Sequence, residues 1–155
     1  MIRIIARKNL PLLRYRGEGE VDLAAKIARS RFATTDKYQI YADKREEAVR
    51  FLEAIDSGIE PSDADYPYLS AETGISAATM LDLAYMWLSM DMAWKSVAAL
   101  IEKITISAKV RIRQAGDQAE ISKISAETQA VLDVLGAKPP IQPKEDPLPS
   151  SQIPL

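Results

Sequence analysis

The chain contains no cysteine and no histidine among its 155 residues. Without a thiol, no disulfide can form and no thiolate can bind a metal or act as a nucleophile. The lack of histidine removes the commonest metal ligand and the commonest general base near neutral pH. These absences exclude zinc sites built from cysteine or histidine. We therefore predict a protein that is not an enzyme, with no catalytic residue, no metal site and no cofactor.

Long apolar runs are also missing. No stretch of the sequence has the eighteen consecutive apolar residues that a membrane-spanning helix needs. The first eight residues include Arg3, Arg7 and Lys8, and they are too charged to form the apolar centre of a signal peptide. We expect synthesis in a cytoplasm and no membrane partner.

The formal net charge of −2 hides a strong asymmetry along the chain. Residues 1–50 hold twelve basic and seven acidic side chains, whereas residues 51–100 hold one basic and eight acidic side chains. Such polarity favours complementary docking, either within the fold or between subunits. Five basic residues and no acid occur in the first seventeen positions, and we assign them to a docking arm: Arg3, Arg7, Lys8, Arg14 and Arg16.

From Met80 to Ala108 an apolar or small residue recurs at steps of three and four, which predicts one continuous stripe along a helix. We expect this helix to begin after an N-cap at Ser76, to reach Gln114 or Ala115, and to end at Gly116. Its β-branched residues between 101 and 112 leave a strand as the alternative there. The stripe is predicted to pack in the core or at an interface through Leu83, Trp87, Met90, Trp94, Val97, Ile101 and Ile104.

Residues that are typical of helix caps and helix ends predict the bounds of the remaining helices. A helix is predicted from Asp22 to about Asp56, with a bend or break at residues 34–36 and a stop at Gly58. Asp117 and Glu120 resemble a capping box, so a shorter helix should follow and close at Gly136. Residues 1–21 read as a basic extended arm or short strands. The fold class is therefore mainly α: two long helices and a shorter third form an elongated bundle over residues 22–136.

Residues 137–155 differ from the rest, because they hold six of the nine prolines. That density excludes a helix or a central strand and predicts an extended Pro-rich tail. Apolar residues at intervals indicate a tail that docks on a partner, and its anchors are predicted to be Ile141, Leu148 and Ile153.

Two segments of the sequence resemble those of a known group of proteins. They are the stretch Tyr41 to Ala48 before Phe51 and Leu52, and the stretch Asp65 to Ile75 that leads into a Trp-containing helix. Over about residues 22–115 the layout is similar to that of small helical tail-associated proteins of tailed bacteriophages and prophages, encoded near tail-fibre or baseplate genes. The resemblance implies no catalytic residue.

Three hypotheses of function follow, the first two from the resemblance and the third from the basic residues near the N-terminus. The first is a structural virion component of a phage tail or baseplate, a homo-oligomer whose partners are other tail, baseplate or fibre proteins. The second is an assembly chaperone for tail fibres that is absent from the mature virion. The third, and the least favoured, is a small nucleic-acid-binding protein that uses the basic N-terminal arm.

Overall fold

The computed structural model describes residues 9–32 and 35–137 and is mainly helical, as the sequence predicts. Helix α1 is Leu10–Ser30, α2 is Thr35–Asp56, α3 is Pro67–Glu72, α4 is Met80–Gln114 and α5 is Gln118–Gly136. A single 3-10 turn, Asp63–Asp65, precedes α3. Within the described ranges there is no strand, and one isolated parallel bridge joins Thr73 and Ala77. The alternative of a strand between residues 101 and 112 is wrong, because α4 is helical throughout.

The predicted extended arm is wrong for residues 10–21, which form the first three turns of α1. Pro11 lies in the first turn, where its missing N–H costs no hydrogen bond, so it begins the helix and does not break a strand. The predicted helix from Asp22 to Asp56 is likewise two helices, separated where the polar residues 34–36 suggested an interruption. Arg3, Arg7 and Lys8 lie outside the described residues, as do the tail anchors Ile141, Leu148 and Ile153.

The predicted start of α4 is also wrong. Its N-cap is Thr79, whose hydroxyl accepts the backbone N–H of Asp82 at 3.1 Å. Ser76 has the right chemistry, but it lies within the turn that joins α3 to α4, where Gly74 takes a φ of +83°. Asp82 places a negative charge in the first turn of α4, where it is favourable. A helix that began after Ser76 would have no acidic residue among its first three positions.

Two other helix ends are confirmed. Gly58 has a φ of +71°, and the N–H groups of Gly58 and Ile59 bond back to the carbonyls of Ile55 and Ala54. This is the paired hydrogen bonding of a Schellman motif, which needs a left-handed residue after the helix. Asp117 caps α5 by accepting the N–H of Glu120 at 2.9 Å. The Glu120 carboxylate in turn accepts the N–H of Gly116 at 2.8 Å, one residue before the position that an ideal capping box uses.

Helix α4 is the common support of the whole fold. Its 35 residues make it about 52 Å long at about 1.5 Å per residue. The C-terminal half of α4 packs against α1 and α5, and the N-terminal half packs against α2 and α3. The core is therefore distributed along a rod and is not gathered at one centre.

Helices α1 and α2 together run antiparallel to α4 in a single register. Glu18 pairs with Arg113, Asp22 with Lys109, and Arg29 with Glu102, so the contacts on α4 descend as those on α1 ascend. Lys44 of α2 lies 5.0 Å from the centre of the Trp87 ring, which continues the same series. The break between α1 and α2 does not shift their alignment with α4.

Small residues let α1 and α5 approach each other closely. A Cβ added at Gly17 would lie 2.7 Å from the Ile121 Cγ2 atom, and one added at Gly136 would lie 2.8 Å from Arg31 Nη1. Gly136 is the last residue of α5 and keeps ordinary helical geometry, so it serves close packing more than termination. Because Gly136 lies beside Ala28 and Arg31, α5 runs parallel to α1 and ends where α1 ends.

Candidate protein–protein interface

The predicted stripe on α4 forms the inner face of that helix. Leu83 and Ile101 are fully buried and Trp87 is 8% exposed, whereas Val97 and Ile104 are partly buried against α1 and α5. Met90 and Trp94 are half-buried. The structure thus brings all seven predicted packing residues to one face, and that face is largely covered by this chain's own helices.

A second apolar series lies on the opposite side of α4, and the sequence analysis did not separate it from the first. It also steps by three, four or seven residues, and its members are Leu81, Tyr85, Leu88, Met92, Ala99, Ile106 and Val110. All are exposed except Leu88, which is half-buried against the cluster that contains Leu83. Met92 is 69% exposed, Tyr85 57% and Ile106 54%. We call these seven residues the outer stripe. A signal for it exists in the sequence, because residues 81, 85, 88 and 92 repeat the 3–4 spacing half a turn away from the inner series.

The spacing of the outer stripe is that of helices that pack on one another. Apolar positions repeated about every 3.5 residues insert between side chains of a facing helix. Monomeric proteins expose single apolar residues routinely, whereas an aligned series along one helix indicates a binding surface. The outer stripe is therefore the strongest candidate interface of the described residues.

A second apolar surface lies between α2 and α4, in the middle of the molecule. The rings of Phe32 and Trp94 are in contact there, with their centres 4.9 Å apart and their planes tilted by 37°. From α2, Tyr38 is 63% exposed and Tyr41 45% exposed. The antiparallel register places these tyrosines level with Met90 and Trp94, because Lys44 lies opposite Trp87.

The predicted docking arm has a different role where the structure describes it. The Arg14 guanidinium donates two hydrogen bonds, of 2.7 and 3.3 Å, to the carbonyl of Ala115. It thereby satisfies an acceptor at the C-terminal end of α4, where a positive charge is favourable. Arg16 is exposed on α1. The two residues lie on a folded helix, so docking by an extended arm is not available to them.

The basic residues near the end of α4 face acids of neighbouring helices. Arg113 donates two hydrogen bonds to Glu18, Lys109 contacts Asp22 at 2.8 Å, and Arg111 contacts Glu127 of α5 at 3.1 Å. The hydrogen bonds from Arg113 lower the pKa of Glu18 below its usual 4.5. Of these side chains, Asp22, Lys109 and Arg113 line an open groove of about 320 Å³. Arg29 and Glu102 line it too, so the ion pairs Asp22–Lys109 and Arg29–Glu102 lie in this groove.

A buried carboxylate organises the other end of the molecule. Glu47 is 3% exposed, and its Oε1 atom accepts the backbone N–H of Leu69 at 2.7 Å. This bond caps α3 from a neighbouring helix, because Leu69 lies in the first turn of α3. Nearby, Lys44 forms an ion pair with Glu72 and lies over the Trp87 ring. The arrangement fixes α3 on α2.

Within residues 9–32 and 35–137 no three acidic side chains gather into a group that could hold a metal ion. No helix in those ranges is long and apolar enough to cross a membrane. Comparisons with protein-family models, curated proteins and solved structures gave no match to this chain.

Proposed function

We propose that this protein is a non-enzymatic structural subunit that assembles by packing the outer stripe of α4 against the same stripe of a second copy. The single observation that carries the proposal is the exposed apolar series on the side of α4 away from the core. A stripe of helix-packing spacing along one helix can face its own copy across a twofold axis. The other helices of the elongated bundle pack on the inner side of α4 and leave the outer stripe uncovered.

The resemblance to tail-associated proteins of bacteriophages supports a place for this assembly in a phage particle. We place the subunit in the tail, baseplate or tail-fibre complex of a bacteriophage, with other tail proteins as further partners and the virion as its location. An elongated helical protein with exposed apolar residues along one helix is suited to joining subunits. The charge asymmetry of the sequence supports the same role only weakly, because the described basic residues of α4 are mostly paired within the chain.

The first test measures the oligomeric state. Light scattering after size-exclusion chromatography should give a dimer or larger oligomer for the unchanged protein at about 10–100 µM, the range of modest self-association. The double variant Met92→Lys, Ile106→Lys places two charges on the outer stripe and should be monomeric. Val134→Lys is the matched control, because Val134 is 74% exposed and lies on α5 away from the stripe. A monomeric unchanged protein, or dissociation by the control alone, would contradict the proposal.

A second test places the protein in or out of a particle. Mass spectrometry of purified phage particles should find the chain in a fixed ratio to the other tail proteins. If the chain is present in infected-cell lysates and missing from particles, the chaperone hypothesis replaces the structural one. Binding to DNA that weakens with added salt would instead support the nucleic-acid hypothesis.

A further inference from the structure

We infer that two copies of this chain pack their outer stripes antiparallel, with the twofold axis between Lys95 and Ser96. This inference deepens the proposed function and rests on it, because it assumes that the outer stripe joins two copies. It commits to one occupant, a second copy of this chain, and it fixes the direction and the register in which that copy binds.

The spacing of exposed positions along α4 defines the register. Lys103 is exposed and completes the series, because it lies four residues after Ala99 and three before Ile106. With Lys103 included, the steps from residue 81 to residue 110 read four, three, four, seven, four, three and four, the same in both directions. An antiparallel copy centred between residues 95 and 96 therefore meets every position with a counterpart. The facing pairs are Leu81 with Val110, Tyr85 with Ile106, Leu88 with Lys103, and Met92 with Ala99.

Antiparallel registers shifted by seven residues cover less of the surface. A shift in one direction leaves residues 106 and 110 of each copy without a counterpart, and a shift in the other direction leaves residues 81 and 85 without one. Because buried apolar area stabilises association, the centred register is favoured among the antiparallel ones. A parallel pair also matches every position, since each residue then faces its own equivalent, so side-chain size and charge decide the direction.

Side-chain size favours the antiparallel direction. Met92, which is 69% exposed, faces Ala99 in an antiparallel pair, so a long side chain meets a small one. In a parallel pair Met92 would face Met92 and Ala99 would face Ala99, which crowds one level of the interface and leaves another thinly filled. Helices pack well where large and small residues alternate across facing positions, because their side chains then interdigitate at one helix separation.

Lys103 gives the clearest preference for direction. In a parallel pair it would face Lys103 of the second copy across the twofold axis, and two like charges would meet within an apolar surface. In the antiparallel pair its aliphatic stem lies on Leu88 of the second copy, and its ammonium lies near the ring of Tyr85, where a cation is favourable. Within residues 9–32 and 35–137 Lys103 forms no ion pair, so no acid of its own chain holds it elsewhere.

The charge of the two ends of α4 points the same way. Residues 51–100 hold one basic and eight acidic side chains, whereas residues 101–114 hold four basic side chains and one acidic side chain. An antiparallel pair sets the acidic half of each copy beside the basic end of the other, and a parallel pair sets like beside like. Acids of α1 and α5 pair with Lys109, Arg111 and Arg113, so Lys103 contributes most of this effect.

The absence of cysteine from this protein allows a direct test of direction. Full-length chains carrying Tyr85→Cys and chains carrying Ile106→Cys are mixed in equal amounts, unfolded in urea, refolded together and mildly oxidised. The disulfide should join unlike chains, because only positions 85 and 106 of different copies lie level, with Cα atoms within about 7 Å. Peptide mass mapping identifies the linkage. The matched control replaces the second chain by Val134→Cys on α5, 74% exposed in the unchanged protein, and should show no preference for unlike chains.

A second measurement gives distances. A nitroxide spin label attached to Tyr85→Cys should lie about 32 Å from its equivalent in an antiparallel pair, since position 85 of one copy is twenty-one residues along the helix from position 85 of the other. A label on Val110→Cys should give about 44 Å by the same argument. In a parallel pair both distances would fall to about 10 Å, the separation of two packed helices. Pulsed electron paramagnetic resonance distinguishes these values.

Light scattering on the same variants separates a failure of direction from a failure of assembly. Dimers with linkage between unlike chains and distances near 32 and 44 Å support the inference. Dimers in which like chains are linked, in which all linkages form equally, or in which both spin-label distances are short would overturn the antiparallel arrangement and leave assembly through the outer stripe standing. Monomers that form no linkage would overturn the proposed function, and this inference with it.

Discussion

Two glycines of α1 show how position decides the role of a residue. Gly17 faces α5 at the closest approach of the two helices, whereas a Cβ at Gly19 would meet no heavy atom within 4 Å. Both are helical and neither has a positive φ. Glycine is usual in turns, yet both of these lie inside a helix. The contact that gives Gly17 its purpose lies more than one hundred residues away and has no local signal.

These glycines give the first prediction. Gly19→Ala should raise the free energy of unfolding by about 0.5–1 kcal/mol, because alanine loses less backbone entropy in a helix. Gly17→Ala gains the same term but pushes its Cβ against Ile121, whose β-branched side chain is stiff, so a net loss of about 1 kcal/mol is expected. Urea unfolding of the three proteins measures both changes. Equal stabilisation by the two substitutions would show that α1 and α5 are farther apart than described.

At the scale of the element, α4 and α5 were predictable and α1 was not. Their series of apolar residues is long, and acids follow their caps at Asp82 and Glu120. Helix α1 has Pro11 in its first turn and carries exposed apolar residues on its outer side, so its pattern resembled broken strands. The outer stripe was hidden for a related reason. In a helix rich in apolar residues, two stripes merge, and only the tertiary packing decides which one is covered.

The N-cap of α4 provides the second prediction. Thr79→Ala should lower the free energy of unfolding by about 1 kcal/mol, because the N–H of Asp82 loses its side-chain acceptor. Ser76→Ala is the matched control and should change it by less than about 0.5 kcal/mol, the usual range for exposed surface positions. Thermal unfolding followed at 222 nm compares the two variants. A larger loss for the Ser76 variant would restore the sequence-based start of α4.

The ion pairs between α1 and α4 lead to a third prediction, on pH. Glu18 has a lowered pKa in the folded state, so its bond to Arg113 adds stability above the unfolded pKa of about 4.5, and that stability is lost as the pH falls through the lower folded value. Arg113→Met should therefore lower stability at pH 6–7 and have a smaller effect near pH 2. Urea unfolding between pH 2 and pH 7 measures the difference. A constant difference across that range would contradict the assignment.

At the scale of the whole molecule, the core is divided along the rod. One cluster, with Leu69, Leu83 and Trp87, joins α2, α3 and the N-terminal half of α4. Two others, with Ile112 and Leu132, join α1, α5 and the C-terminal half. Helix α4 links the halves, together with the Phe32–Trp94 contact. Few side chains are shared, so the two halves can differ in local stability.

The fourth prediction follows from this division. Leu83→Ala should cost about 2–5 kcal/mol, because Leu83 is fully buried, and the loss should concentrate in α2 and α3. Hydrogen exchange should show faster exchange of amides in those helices while α5 keeps its protection. Ile112→Ala is the reciprocal variant and should affect α1 and α5 instead. Uniform loss of protection in either variant would show that the rod unfolds as one unit.

The order of positive and negative side chains along α1 and α4 determines how the two helices align. Small apolar residues such as Val21, Ala25 and Ala28 would fit a neighbouring helix almost as well after a slide of seven residues. Such a slide in one direction would set Arg29 against Lys109, and in the other direction it would set Asp22 against Glu102, so both displaced alignments bring like charges together. Surface ion pairs that are individually weak thereby favour one alignment of α1 on α4 over the alignments shifted by seven residues, and this alignment sets the overall length of the molecule.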